Sequence, residues 1–143
     1  MNVIAFDAML AADHPAFATS GVHGMMLDAL CAQADVVSLH VPLVESTRHL
    51  FDAGRIAAMK RGAVLINSAR GGVLDEAAVA AALKSGQLGG AAIDVFESEP
   101  LPAGSVFAGC PNLVLTPHVA GLSAESNERV SSLIARRVLE ELR

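Results

Sequence analysis

Five short apolar runs, each closed by a polar residue and separated by helical patterns, constrain this chain more than any other feature. They cover residues 3–6, 35–39, 63–67, 90–94 and 113–116, and Asp7, His40, Arg70, Asp94 and His118 stand at or just beyond their ends. The run Ala63-Val-Leu-Ile66 is unbroken, as expected of a parallel strand covered on both faces. Helices are expected over residues 27–33, 53–59, 74–84 and 123–143. The third of these holds five alanines between positions 75 and 83 and stops at Gly86. In the last, Val130, Leu133, Ile134, Val138 and Leu142 recur at three and four residues and read as one buried stripe. Residues 11–24, with Pro15 and two glycines, read as irregular, with His14 and His23 solvated. Strands that alternate with helices are parallel and joined by right-handed crossovers, which predicts an α/β fold with a doubly wound parallel sheet.

The chain has 143 residues, enough for one domain with a core, and 52% of them are hydrophobic. A formal net charge of −5 argues against a nucleic-acid surface. No run approaches the ~18–20 apolar residues of a membrane span, and the first residues lack the basic region of a signal peptide. Cys31 and Cys110 lie far apart without metal-ligand spacing, so they read as reduced thiols of a cytoplasmic protein, and no metal site is expected.

The stretch from Lys60 to Glu76 reads as loop, strand, glycine turn and helix. Arg70 stands between strand and helix, at the carboxyl end of the strand where open α/β sheets bind ligands. Gly71 and Gly72 beside it would let a ligand approach the backbone closely. Taken singly, each polar strand-end residue has an ordinary reading as a loop or capping residue. Gathered along one rim of one sheet, they set a cation, carboxylates and imidazoles around a ligand.

Four blocks carry a resemblance: Ala34-Asp-Val-Val-Ser-Leu-His-Val-Pro-Leu43, Leu65-Ile-Asn-Ser-Ala-Arg-Gly-Gly-Val-Leu-Asp-Glu76, Ala91-Ala-Ile-Asp-Val-Phe-Glu-Ser-Glu-Pro100 and Leu115-Thr-Pro-His-Val-Ala-Gly121. In this order and spacing the chain resembles the D-isomer-specific 2-hydroxyacid dehydrogenases, the phosphoglycerate dehydrogenase branch above all. The resemblance implies an NAD-dependent oxidoreductase that moves a hydride between nicotinamide and C2 of a D-2-hydroxy or 2-keto acid. It implies that Arg70 holds the substrate carboxylate, that His118 is the general acid/base and that Glu99 is its carboxylate partner. Asp94 would lie at the nicotinamide carboxamide, and His40, Val41, Pro42, Ser68, Ala69, Arg70, His118 and Gly121 along the cofactor. Asp7 matches the acid that bonds a ribose 2′-hydroxyl and repels a 2′-phosphate, which favours NAD over NADP. The chemistry suits these residue types: guanidinium grips a carboxylate bidentately, and imidazole titrates near working pH.

The family's G-x-G-x-x-G fingerprint is absent from these residues. The expectation is therefore a single partial dinucleotide-binding domain over residues 1–143, truncated at its N-terminus, without the first strand, the glycine-rich loop or the substrate domain. A homodimer is expected in the full-length family context. Two alternatives are a non-catalytic, corepressor-like binding protein on the same fold and an inactive truncated gene product. For the sheet, residues 3–6 are expected to pair with 35–39. The runs 63–67, 90–94 and 113–116 should form a second parallel set across a gap.

Overall fold

In the computed structural model, which describes residues 1–142, every strand pairing is parallel. The elements are β1 (Ile4–Ala5), α1 (Pro15–Thr19), β2 (His23–Gly24), α2 (Leu27–Gln33), β3 (Val36–Leu39), α3 (Ala53–Ala58), β4 (Ala63–Asn67), α4 (Glu76–Ser85), β5 (Leu88–Ile93), β6 (Leu113–Leu115) and α5 (Ala124–Glu141). A four-stranded sheet has the order β3-β4-β5-β6, and β1 pairs with β2 in a separate two-stranded sheet. The α/β parallel class is as expected.

The expected division of the sheet is corrected in two respects. The run 35–39 pairs with β4, Val36 opposite Val64 and Leu39 opposite Asn67, and not with the first strand. The first strand instead pairs with β2, Ile4 opposite His23 and Ala5 opposite Gly24. The stretch 11–24 is therefore not irregular. It holds α1, with Pro15 in the first turn, where a missing N–H costs nothing, and the two-residue β2. His14 and His23 are exposed, as expected.

The core lies under the four-stranded sheet, where Leu65, Phe51, Val73 and Val79 are fully enclosed. Along β4 buried and half-buried residues alternate, and Asn67 at its end is 1% exposed. α4 begins at Asp75, whose carboxylate accepts the Ala78 N–H at 3.0 Å, and ends at Gly86 in the left-handed conformation (φ 71°). Both ends of this helix are thus encoded locally.

The last helix departs from expectation. α5 buries no residue, and Val130, Leu133, Ile134 and Val138 are each about half exposed. Three- and four-residue spacing gives an apolar stripe its geometry but does not supply a surface to cover it. Arg143, at the end of the expected helix, lies outside the described residues. No described helix is long and apolar enough to cross a membrane.

Stability therefore resides in the sheet and not in α5. Leu65→Ala should cost about 2–5 kcal/mol, as for a fully buried leucine, whereas Ile134→Ala should change stability by no more than about 0.5 kcal/mol. Urea denaturation of both variants measures the contrast.

Candidate active site

The residues that matter chemically follow strand ends, and parallel pairing puts the ends of β3, β4, β5 and β6 on one rim. His40, Arg70, Asp94 and His118 stand there; Asp7 follows β1 in the two-stranded sheet.

β4 delivers Asn67 into a buried position at the base of the turn that carries Arg70. Its side-chain amide donates to the Arg70 carbonyl at 3.0 Å, and its oxygen accepts the Ala69 N–H at 3.1 Å. This residue fixes the turn, although nothing singled it out beforehand. The available signal was a lone amide at the end of an apolar run. Gly71 is explained differently from the expectation of ligand access: a Cβ there would fall 1.8 Å from the Phe96 carbonyl oxygen. The glycine makes room for the chain's own backbone. Arg70 is exposed, and its guanidinium donates to the Ala69 carbonyl at 2.6 Å.

β5 delivers Asp94, which is 5% exposed. One carboxylate oxygen accepts from the Thr116 hydroxyl at 2.5 Å and the Val119 N–H at 2.9 Å; the other accepts the Ala120 N–H at 2.9 Å. Burial pushes this carboxyl's pKa up, but the hydrogen bonds from Thr116, Val119 and Ala120 outweigh it and hold the group below its ordinary value. Asp94 also accepts the His118 N–H through its carbonyl at 2.8 Å. The segment 116–120 is thus pinned from both ends, and His118 sits at a positive φ of 55°.

In that position His118 Nδ1 lies 2.8 Å from Glu99 Oε2. The other Glu99 oxygen accepts the Phe96 N–H at 2.9 Å. The His118 bond first and the Phe96 bond second lower the Glu99 pKa below its ordinary 4.5. With Glu99 ionised, Nδ1 carries the proton and Nε2 is presented outward. The pair stands in the wall of a cavity of about 510 Å³ whose other walls include Phe96, Pro100, Leu101 and Leu115. Arg70 does not line this cavity.

The other expected site residues make only local contacts or none. His40 is exposed and its Nε2 lies 2.9 Å from the Ser38 hydroxyl. Val41 is half-buried; Pro42, Ser68 and Gly121 are exposed, and Ala69 is half-buried. Asp7 is exposed, and its Oδ1 accepts the Met9 N–H at 2.7 Å, while Oδ2 accepts nothing from the described residues. Among those residues no group of three His, Cys, Asp or Glu side chains is placed to hold a metal ion.

Residues 1–120 match the model of the D-isomer specific 2-hydroxyacid dehydrogenase, NAD binding domain, and the chain belongs to that family. It is 50% identical to an (S)-sulfolactate dehydrogenase of Chromohalobacter salexigens, over 99% of this chain and 46% of that protein. It superposes with a TM-score of 0.84 on a D-lactate dehydrogenase from Aquifex aeolicus complexed with NAD and lactic acid, at 32% identity, covering 99% of this chain and 46% of the other. A D-isomer specific 2-hydroxyacid dehydrogenase from Xanthobacter autotrophicus Py2, in complex with NADPH and MES, gives a TM-score of 0.75 at 40% identity, covering 86% and 38%. The chain spans less than half the length of each of these three relatives. The chemistry at two places suits a dinucleotide: Asp7 keeps an acceptor oxygen open to a hydroxyl donor, and Pro42 and Ser68 stand exposed after the ends of β3 and β4.

The Asp94 bonds are legible in a pH experiment. The folded-state pKa lies below the ordinary 3.8. The stabilisation is therefore complete above that ordinary value and is lost as pH falls through the folded one. Asp94→Asn should cost about 3 kcal/mol, because an amide NH₂ would face one of the N–H or O–H donors. It should also remove the acid-side fall in stability that belongs to this group, measured by thermal melting between neutral and acid pH.

Proposed function

We propose that this chain is the dinucleotide-binding, acid/base-bearing domain, over residues 1–143, of an NAD-dependent oxidoreductase acting on D-2-hydroxy and 2-keto acids. The observation that carries the reading is the His118–Glu99 pair at 2.8 Å in the wall of a cavity. In this reading the substrate-binding part is supplied by sequence outside these residues. Free Cys31 and Cys110 support a cytoplasmic protein. A homodimer is proposed for the full-length form.

Nicotinamide, when bound, would supply the hydride in reduction and accept it in oxidation; the chain handles the proton and the orientation. Glu99 holds the proton on His118 Nδ1, so Nε2 faces the reacting carbon–oxygen group. In reduction, protonated Nε2–H donates to the carbonyl oxygen as it becomes a hydroxyl; in oxidation, neutral Nε2 takes the hydroxyl proton. Glu99 fixes the orientation of the ring through the bond to Nδ1. Arg70 exchanges its bond to the Ala69 carbonyl for the substrate carboxylate, two N–H groups to two oxygens. Asp94 acts through the segment it holds and stands beside the carboxamide position, while His40, Val41, Pro42, Ser68, Ala69 and Gly121 line the cofactor. Asp7 accepts a ribose 2′-hydroxyl and repels a 2′-phosphate, which gives NAD preference here even though a relative was crystallised with NADPH. The (S)-sulfolactate dehydrogenase relative makes sulfolactate one substrate to test, beside glyoxylate and hydroxypyruvate.

In the full-length gene product His118→Ala should lower turnover by about 10²–10⁴-fold, and Arg70→Lys should be severe because a point charge does not reproduce the planar fork. Steady-state assays with NADH and a panel of 2-keto acids measure both; wild-type turnover in either variant defeats the assignment. Asp7→Ala should narrow the preference for NADH over NADPH. A parent enzyme that prefers NADPH defeats the role given to Asp7.

A further inference from the structure

Behind the Arg70 turn lies a set of contacts that the proposed chemistry does not use. The segment after residue 48 runs beside the residues that follow Arg70: the His49 N–H donates to the Gly72 carbonyl at 2.8 Å, and the Phe51 N–H to Val73 at 3.2 Å. The His49 side chain reaches the other way, with Nε2 2.9 Å from Glu97 Oε1. The Glu97 N–H in turn donates to the Glu76 carboxylate at 2.8 Å. Glu97 belongs to the segment whose Phe96 amide holds Glu99, and Phe96 is the residue against which Gly71 packs. His49 makes these contacts from a left-handed backbone, φ 48°, a conformation uncommon for a non-glycine residue.

We infer that His49, Glu97 and Glu76 are positioning residues: they clamp the Arg70 turn against the Glu99 segment and so set the guanidinium relative to the His118–Glu99 pair. The inference rests on the proposed function for its catalytic consequence, and on geometry alone for the clamp. The His49 and Glu97 side chains are 44% and 43% exposed. An ion pair so open to water contributes little to stability. Its removal therefore shows in geometry and substrate handling, not in melting temperature. That separates a positioning role from a merely structural one.

The test compares Glu97→Ala with Glu97→Gln, whose amide oxygen still accepts from the His49 ring Nε2–H. In the full-length gene product, Glu97→Ala should raise KM for the 2-keto acid about tenfold, because small misplacement of a substrate-orienting group is costly. KM for NADH and the melting temperature should stay near wild type, and Glu97→Gln should recover most of the loss. Equal effects of the two substitutions, or no effect of either, overturn the clamp. If the wild type turns over none of glyoxylate, hydroxypyruvate and sulfolactate, the functional reading fails by itself. The clamp is then decided by amide hydrogen exchange on this chain. The His49 and Ala69 amides should exchange at least about tenfold faster in Glu97→Ala than in wild type or Glu97→Gln, with Ala91 in β5 unchanged. Unaltered exchange at His49 and Ala69 overturns it.

Discussion

The buried carboxylate of Asp94 is the interaction on which the rest of the rim depends. An ionised carboxyl withdrawn from water is tolerated only when its lone pairs are taken by donors. Here Thr116, Val119 and Ala120 supply them, and all belong to the chain after β6. The requirement leaves residues 116–120 one way to lie. It brings His118 into a left-handed conformation that its sequence does not favour, and turns its ring toward Glu99. The need to satisfy one buried carboxylate thus sets the His118 imidazole beside Glu99, and both side chains stay in contact with water.

Beneath that rim the sheet supplies rigidity by small residues. β5 is Leu-Gly-Gly-Ala-Ala-Ile, and it sits between β4 and β6 with register Leu65 to Ala91 and Ile93 to Leu115. The pairing shifts between Ala63 and Val64, where Gly89 meets the Gly62 carbonyl so closely that a Cβ would lie 2.3 Å from it. A side chain at that irregularity would displace the register and move Asp94 with it. The site's geometry is therefore sensitive to residues at the opposite end of the strand.

Much of the fold is legible because long apolar runs report their own burial. Residues 63–67 and 90–94 declare strands, and Asp75 and Gly86 declare the ends of α4 through capping. The runs do not declare their partners. β2 is two residues long, His and Gly, with no apolar pattern to mark it, so the sequence does not show which neighbour the first strand takes. α5 shows the converse: its spacing is amphipathic, yet burial depends on a surface that local sequence does not describe. At the site, strand-end position marks His118 and the family resemblance adds Glu99, and the two do meet. Asn67 and Thr116 were not legible as functional, because their role is to hold backbone and carboxylate in place, and only folded geometry reveals which atoms those are.

The two halves of the candidate site differ in readiness. Glu99 and His118 are already engaged at hydrogen-bond distance, with Glu99 held below its ordinary pKa by that contact, so this pair is preformed. Arg70 is engaged with its own chain at Ala69. Under the proposed function, binding a carboxylate exchanges that neutral acceptor for a charged, bidentate one. Both bonds are charge-assisted from the guanidinium side, but a carboxylate adds an opposite charge and a second acceptor oxygen in fork geometry, so the exchange favours the ligand. What the exchange needs is a turn that stays fixed while the side chain moves. Asn67 holds that turn from within, and the segment running from His49 to Phe51 holds it from behind. Under that reading, selectivity for a carboxylate-bearing substrate follows from a guanidinium that can change partners on a turn held from two sides.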